Sequence, residues 1–110
     1  MDNTLKKYLF DIIGCIEYIE MYVGKKRFSS FIKNKQLIHS VNYNIMVIGE
    51  AMNNILRIDP EIKISNGRNI VNARNLLIHN YSGVNENVLW EIIKIHLPIL
   101  KEEVGNILND

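Results

Sequence analysis

Apolar residues recur at intervals of three and four positions along most of the 110-residue chain. This spacing lines one face of an α-helix, whereas a half-buried β-strand would alternate apolar and polar residues. No stretch of the sequence shows such alternation. The pattern predicts an all-α protein, an up-and-down helical bundle of four main helices with one short helical turn.

The first two long helices have clear start and stop signals. The first is predicted to begin at a cap in Asn3–Thr4 and to end at Gly24. The second runs from about Lys35 to the residues before Pro60, and Ser29–Ser30 can cap a short turn between the two helices. Their predicted buried positions are Leu5, Leu9, Ile12, Ile16, Ile19 and Val23, followed by Leu37, Val41, Ile45, Ile48, Met52 and Ile55.

Two further helices complete the predicted bundle. Ser65 or Asn66 can cap the third helix, and Asn85 can cap the last one, which Pro98 should kink. Their predicted apolar positions are Ile70, Ala73, Leu76 and Leu77 in the third helix, and Val88, Leu89, Ile92, Ile93, Leu97, Leu100, Val104 and Ile107 or Leu108 in the last.

Length and charge limit the classes of function. A chain of this length buries one modest core, so residues 1–110 are predicted to form a single domain. The net charge is only +1, so any contact with nucleic acid has to come from local basic groups. Lys25–Arg27 is one such run, although three adjacent cations in a connector are usually just solvated. No apolar stretch has the ~18 residues of a membrane span and no export signal is visible, which predicts a cytoplasmic protein without membrane contact.

Residues that could hold a cofactor are sparse. The lone Cys15 lies among isoleucines and is predicted to pack in the core. Three histidines and one cysteine do not have the clustered spacing of a zinc site, and the glycines are too scattered for a phosphate-binding loop. The sequence therefore predicts no metal and no cofactor.

The strongest candidate for chemistry is the stretch Arg74–Tyr81, which places an arginine, a histidine and a tyrosine at the end of the third predicted helix. Arginine carries a permanent planar charge suited to phosphate, and His79 can exchange a proton near neutral pH. Together they indicate chemistry on a phosphodiester. The less specific interpretation is a polar helix end, where these side chains only cap and pack.

Helical geometry separates these side chains within one copy of the chain. On a straight helix His79 lies roughly 140° around and about 7.5 Å along from Arg74, whereas Tyr81 returns to within roughly 20° at about 10 Å. A compact site therefore needs either a break in the helix near His79 or a second copy related by a two-fold axis. We expect the second copy to matter more, with the helix break contributing.

A glycine in the second long helix is a second feature of interest. Gly49 should let another helix approach closely, and it leaves Glu50 beside the contact. Glu50 is either a solvent-facing helix glutamate or a partner that orients Arg74. The residues alone leave both interpretations open.

Several of these segments resemble one known family. The stretch Arg74–Tyr81 resembles the Arg-x4-His-x-Tyr signature of the HepT-like branch of the HEPN superfamily, the toxins of nucleotidyltransferase-linked toxin–antitoxin modules. The segment Ile48–Ala51 resembles the family's Gly-Glu-Ala segment, and Val88–Trp90 with Leu97–Leu100 resembles its last helix. The resemblance covers nearly the whole chain. Asn85 departs from the family's frequent aspartate, and a tryptophan typical of the region before the third helix is missing.

The resemblance implies a HEPN bundle that acts as a metal-independent endoribonuclease, with its site in the cleft of a homodimer. Arg74 and His79 are then the catalytic pair, and Asn75 and Glu50 support them. Tyr81 matches the tyrosine that a cognate MntA-type nucleotidyltransferase antitoxin modifies with AMP to silence the toxin. The expected system is a type VII toxin–antitoxin module with RNA as substrate. The alternative is a non-catalytic helical interaction module that binds a nucleotidyltransferase.

Overall fold

The computed structural model describes residues 1–79 and 85–109, and for residues 78 and 79 it describes the backbone alone. The helices in these ranges are α1 (Asn3–Val23), α2 (Phe28–Phe31), α3 (Lys35–Ile58), α4 (Gly67–His79), α5 (Glu86–Glu91) and α6 (Leu97–Leu108). A π-helical segment, Ile92–His96, joins α5 to α6 without a break. The main helices are α1, α3, α4 and the continuous helix made of α5, the π-helical segment and α6. These ranges contain no strand, so the predicted all-α bundle of four main helices and a short turn, α2, is confirmed.

Two predicted caps were wrong. The cap of α1 is Asp2, whose carboxylate accepts hydrogen bonds from two backbone N–H groups of the first turn at 2.7 and 3.0 Å. Asn3–Thr4 therefore lies inside the helix, because a carboxylate one residue earlier also complements the positive end of the helix dipole. Ser29–Ser30 likewise lies inside α2, since Arg27 occupies the cap position there without a side-chain hydrogen bond.

The predicted end of α1 at Gly24, the start of α3 at Lys35 and the cap of α5 at Asn85 are confirmed. Gly24 follows α1 with a φ of 52°, a left-handed conformation that glycine adopts without strain. Asn34 caps α3 by accepting a hydrogen bond from the Leu37 N–H at 3.0 Å, so α3 starts at Lys35. Asn85 caps α5 through a 2.8 Å hydrogen bond with a backbone N–H of the first turn.

The predicted apolar faces of α1 and α3 are buried in full, and they form the centre of the core. Two residues of the later helices were assigned to the wrong face. Leu76 is 59% exposed and Val88 is also exposed, while their neighbours Leu77 and Leu89 are buried. Adjacent residues differ by about 100° in direction, so each helix can turn only one of the two toward the core.

The sequence predicts a kink at Pro98, and the feature that the structure shows directly before Leu97 and Pro98 is the π-helical segment. The Leu97 N–H donates to the Ile92 carbonyl, five residues earlier in the chain. Proline has no N–H, so the carbonyl of Lys94 has no α-helical donor at position 98. The wider π turn falls where the regular hydrogen-bond ladder is interrupted.

Helix α3 packs against both α1 and α4, and α6 packs against α1. Lys101 of α6 is paired with Glu20 of α1 at 2.8 Å. The Glu103 carboxylate accepts two hydrogen bonds from Ser65, one from its N–H and one from its hydroxyl, each at 3.0 Å. The contact between Ser65 and Glu103 fixes the connector just before α4, and so helps to set where α4 lies on α3. Within the described ranges, no helix is both long and apolar enough to cross a bilayer.

Candidate active site

Helices α3 and α4 approach each other closely at Gly49. A Cβ atom added there would lie 2.2 Å from the Cβ of Arg74 and 3.2 Å from the carbonyl oxygen of Ile70. Carbon atoms in contact are normally about 3.5–4.0 Å apart, so no larger residue fits unless the helices separate. The prediction that Gly49 allows a close helix approach is confirmed, and the residue it admits is Arg74.

Arg74 is held on this seam by an ion pair. Its Nη1 donates to Oε2 of Glu50, which follows Gly49 on α3. The Arg74 side chain is only 16% exposed, whereas that of Glu50 is 56% exposed. The arginine stem is therefore packed between the helices while the charged ends of the pair meet at the surface. Glu50 both faces solvent and contacts Arg74, so the two interpretations of this residue are compatible.

The guanidinium of Arg74 is not fully satisfied by the described residues. Its Nε is buried and has no hydrogen-bond partner among them. A buried donor without a partner is costly, which makes this part of the seam a place where a further acceptor would be favourable. Asn75, the next residue of α4, is half-buried.

His79 is the last residue of α4, and the helix is continuous from Arg74 to that point. The predicted separation of roughly 140° between their Cα directions therefore applies. The side chain of His79, and the whole of Tyr81, lie outside the described residues. The structure thus brings together Gly49, Glu50 and Arg74, while the arrangement of Arg74 with His79 and Tyr81 stays a prediction.

Cys15 behaves as a packing residue. It is half-buried on α1 and packs against the hydrophobic core, as predicted. Burial, and to a smaller extent the nearby Asp11 carboxylate, raises the pKa of its thiol, so the reactive thiolate is disfavoured at neutral pH. Among the described residues, no three His, Cys, Asp or Glu side chains are grouped as metal ligands would be.

One group of exposed side chains was not predicted from the sequence as a site. It lines a groove between α1 and α3 and includes Tyr18, Tyr22 and Tyr43. Tyr18 and Tyr22 are four residues apart, which places both on one face of α1. That spacing was the available sequence signal, but it did not indicate that Tyr43 joins them from another helix.

Comparison with known proteins identifies the family of the chain. A family model described as "Ribonuclease HepT-like" matches residues 12–107. The chain is 37% identical over 105 residues to "Probable ribonuclease HepT" of Thermococcus cleftensis, an alignment that covers 92% of this chain and 93% of that protein. It is 32% identical over 104 residues to "Putative RNase MJ1380" of Methanocaldococcus jannaschii, covering 93% and 94%. No solved structure gives a significant match. The chain belongs to the HepT-like ribonuclease family of the HEPN superfamily.

Proposed function

We propose that this protein is a metal-independent endoribonuclease and the toxin of a type VII toxin–antitoxin system. Family membership supports the ribonuclease activity, and one structural observation supports the site: Gly49 and Glu50 hold the Arg74 guanidinium on the α3–α4 seam. An arginine fixed in this way is suited to bind phosphate oxygens, because its N–H groups form a rigid planar fork.

The proposed reaction is cleavage of RNA by its own 2′-hydroxyl. That oxygen attacks the adjacent phosphorus, the bond to the 5′-oxygen breaks, and a 2′,3′-cyclic phosphate forms. The step needs a base for the 2′-hydroxyl, an acid for the leaving 5′-oxygen and cationic donors for the non-bridging oxygens. In the proposed homodimer, two His79 imidazoles act as base and acid, and two Arg74 guanidiniums bind the phosphate.

A second copy is invoked because of the geometry of α4. Arg74 and His79 diverge by roughly 140° on one continuous helix, so a single copy does not converge them on one phosphate. A two-fold axis brings the same patch of each copy together. Glu50 and Asn75 are proposed as supporting residues, with Glu50 setting the position of the guanidinium. The Glu50 carboxylate is more than half exposed to solvent, so its proposed role is mainly to position Arg74 and not to stabilise the fold.

The test is cleavage of a fluorescent RNA by purified protein in the presence of a metal chelator. His79→Ala and Arg74→Ala should stay folded and lose about 10²–10⁴-fold in rate, the usual size of one proton-transfer or electrostatic role. Arg68→Ala is a matched control, because Arg68 is exposed in the first turn of the same helix. His96→Ala is the corresponding control for histidine, because His96 lies in the π-helical segment, where its side chain faces Glu91.

Two results would decide against the proposal. Cleavage at the wild-type rate by Arg74→Ala or His79→Ala would remove these residues from the site. Wild-type protein that binds a nucleotidyltransferase and cleaves no RNA would instead be a non-catalytic interaction module.

The proposed regulation is AMP transfer to Tyr81 by a cognate MntA-type nucleotidyltransferase antitoxin. The tyrosine oxygen attacks the α-phosphorus of ATP, the phenolic proton is released and pyrophosphate leaves. The attached AMP adds bulk and negative charge two residues from His79, which would repel an RNA phosphate. Mass spectrometry after incubation with antitoxin and ATP should show AMP on Tyr81, and Tyr81→Phe should escape both modification and silencing. An unmodified tyrosine in a silenced complex would indicate that the antitoxin only covers the site.

A further inference from the structure

A groove of about 400 Å³ lies between α1 and α3, lined by Tyr18, Tyr22, His39, Ser40, Tyr43 and Asn44. All three tyrosines are exposed. The rings of Tyr18 and Tyr22 stack on each other, with centroids 6.1 Å apart and planes inclined by 18°. Exposed and ordered aromatic rings are the surfaces on which proteins stack single-stranded nucleic-acid bases, since every base has a π-face.

The segment that leads from Tyr22 into α3 is strongly basic, although Glu17 and Glu20 lie on either side of Tyr18. Residues 21–49 contain no aspartate or glutamate and carry five exposed lysines and arginines: Lys25, Lys26, Arg27, Lys33 and Lys35. The whole chain has a formal charge of +1, so these five cations leave −4 on the rest. The nearly neutral total conceals a basic region that is suited to a polyanion.

Two of these cations lie close in the chain to residues that line the groove. The Lys26 ammonium donates to the carbonyl oxygen of Tyr22 at 3.0 Å, so it lies at the end of the tyrosine pair. Lys35 begins α3 one turn before His39, which lines the groove. Stacking surfaces and phosphate-binding groups are therefore adjacent, as in proteins that bind single strands.

The groove also points toward the candidate active site. Tyr43 and Glu50 are both exposed on α3. They are seven residues apart, so they lie within about 20° of the same line and about 10 Å apart along the helix. A single-stranded nucleic acid whose bases stack on the tyrosines could therefore continue along α3 to the Arg74–Glu50 pair.

We propose that this groove binds single-stranded RNA, with bases stacked on Tyr18, Tyr22 and Tyr43 and phosphates bound by the exposed cations of residues 25–35. The choice of RNA rests on the proposed ribonuclease function, and the groove adds to it the form of the substrate. Duplex RNA fits less well, because its bases are already stacked and offer no free face. A second copy of the chain also fits less well, since an isologous contact through this groove would bring the basic residues of both copies to one interface.

Binding can be measured without cleavage in a His79→Ala background, by fluorescence anisotropy of a labelled single-stranded RNA. Alanine at Tyr18, Tyr22 or Tyr43 should weaken binding by about tenfold, the effect of losing one stacked base, and phenylalanine at the same position should retain most of the affinity. Phe10→Ala is the matched control, because Phe10 is an exposed aromatic residue of α1 outside the groove. It should bind as tightly as the parent.

Salt dependence separates the two kinds of contact. The slope of log affinity against log salt reports phosphate contacts, by about 0.7 for each one on a single strand. Replacing Lys26 or Lys35 by alanine should reduce that slope, whereas the tyrosine variants should lower affinity and leave the slope unchanged.

Three results would overturn the proposal. The first is parental RNA affinity in the triple tyrosine-to-alanine variant, and the second is tighter binding of duplex than of single strand. The third is loss of dimerisation or of antitoxin binding in these variants while RNA affinity is kept, which would make the groove a protein interface. These outcomes differ from failure of the nuclease proposal, because absent cleavage by the wild-type protein leaves RNA binding in the groove measurable.

Discussion

Gly49→Ala is the substitution that tests the α3–α4 seam most directly. The added methyl group would lie 2.2 Å from the Arg74 Cβ and 2.7 Å from its Cγ. To reach ordinary contact, the added methyl group and the Arg74 Cβ must move apart by more than about 1 Å. That Cβ is attached to the backbone of α4, so it moves only with its helix. Overpacking of this kind typically costs about 1–3 kcal/mol.

A helix interior normally favours alanine over glycine by about 1 kcal/mol, so the expected change has to be judged against that gain. Gly14 and Gly105 are the reference positions for this gain, because both lie inside helices and a Cβ at either would have no atom within 4 Å. Gly14→Ala and Gly105→Ala are expected to stabilise by about 0.5–1 kcal/mol. Gly49→Ala is expected to destabilise by about 1–3 kcal/mol and to reduce RNA cleavage, because Arg74 is displaced.

The assay is urea unfolding followed by circular dichroism, with thermal unfolding as a check. A loss of 1 kcal/mol should lower Tm by about 4 °C or more in a protein of this size. The reasoning is refuted if Gly49→Ala is as stable as Gly14→Ala, since the seam would then have room for a side chain.

Three further predictions concern stability and reactivity. Glu103→Ala should lower the free energy of unfolding by about 1 kcal/mol, because Ser65 loses both its hydrogen bonds, and Glu102→Ala on the exposed side of α6 should leave it unchanged in the same urea titration. Cys15 should react slowly with maleimide at neutral pH in the folded protein and rapidly in urea; labelling at the same rate in both would contradict its burial. Since burial raises the pKa of the folded Cys15 thiol above its ordinary value of 9.0, the unfolded thiol ionises first, and stability should fall as pH rises through and above 9.0.

Much of the fold follows from spacing alone. The apolar faces of α1 and α3 could be predicted because their residues keep the three- and four-residue interval without ambiguity. Leu76 and Val88 were misassigned because two adjacent apolar residues both fit that interval, and only the packing partner decides between them. The cap at Asp2 was missed because several neighbouring residues can all cap a helix.

The site was less accessible from the sequence. Glu50 and Arg74 are 24 residues apart, and spacing within a helix gives no information on contacts between helices. Gly49 indicated that some helix comes close, and the resemblance to the HepT-like branch suggested which one. The groove was not predicted because Tyr22 and Tyr43 lie on different helices, and each one alone is an ordinary exposed tyrosine.

The central claim is that two copies contribute their His79 side chains to one phosphate pocket, and a mixing experiment tests it directly. Wild-type and His79→Ala chains are co-refolded in equal amounts, and RNA cleavage is compared with the same total amount of wild-type protein. If both histidines are needed, only wild-type homodimers cut, and random pairing leaves about a quarter of the activity. A residual activity of about half would contradict the claim, because it would mean that each chain contributes independently of its partner.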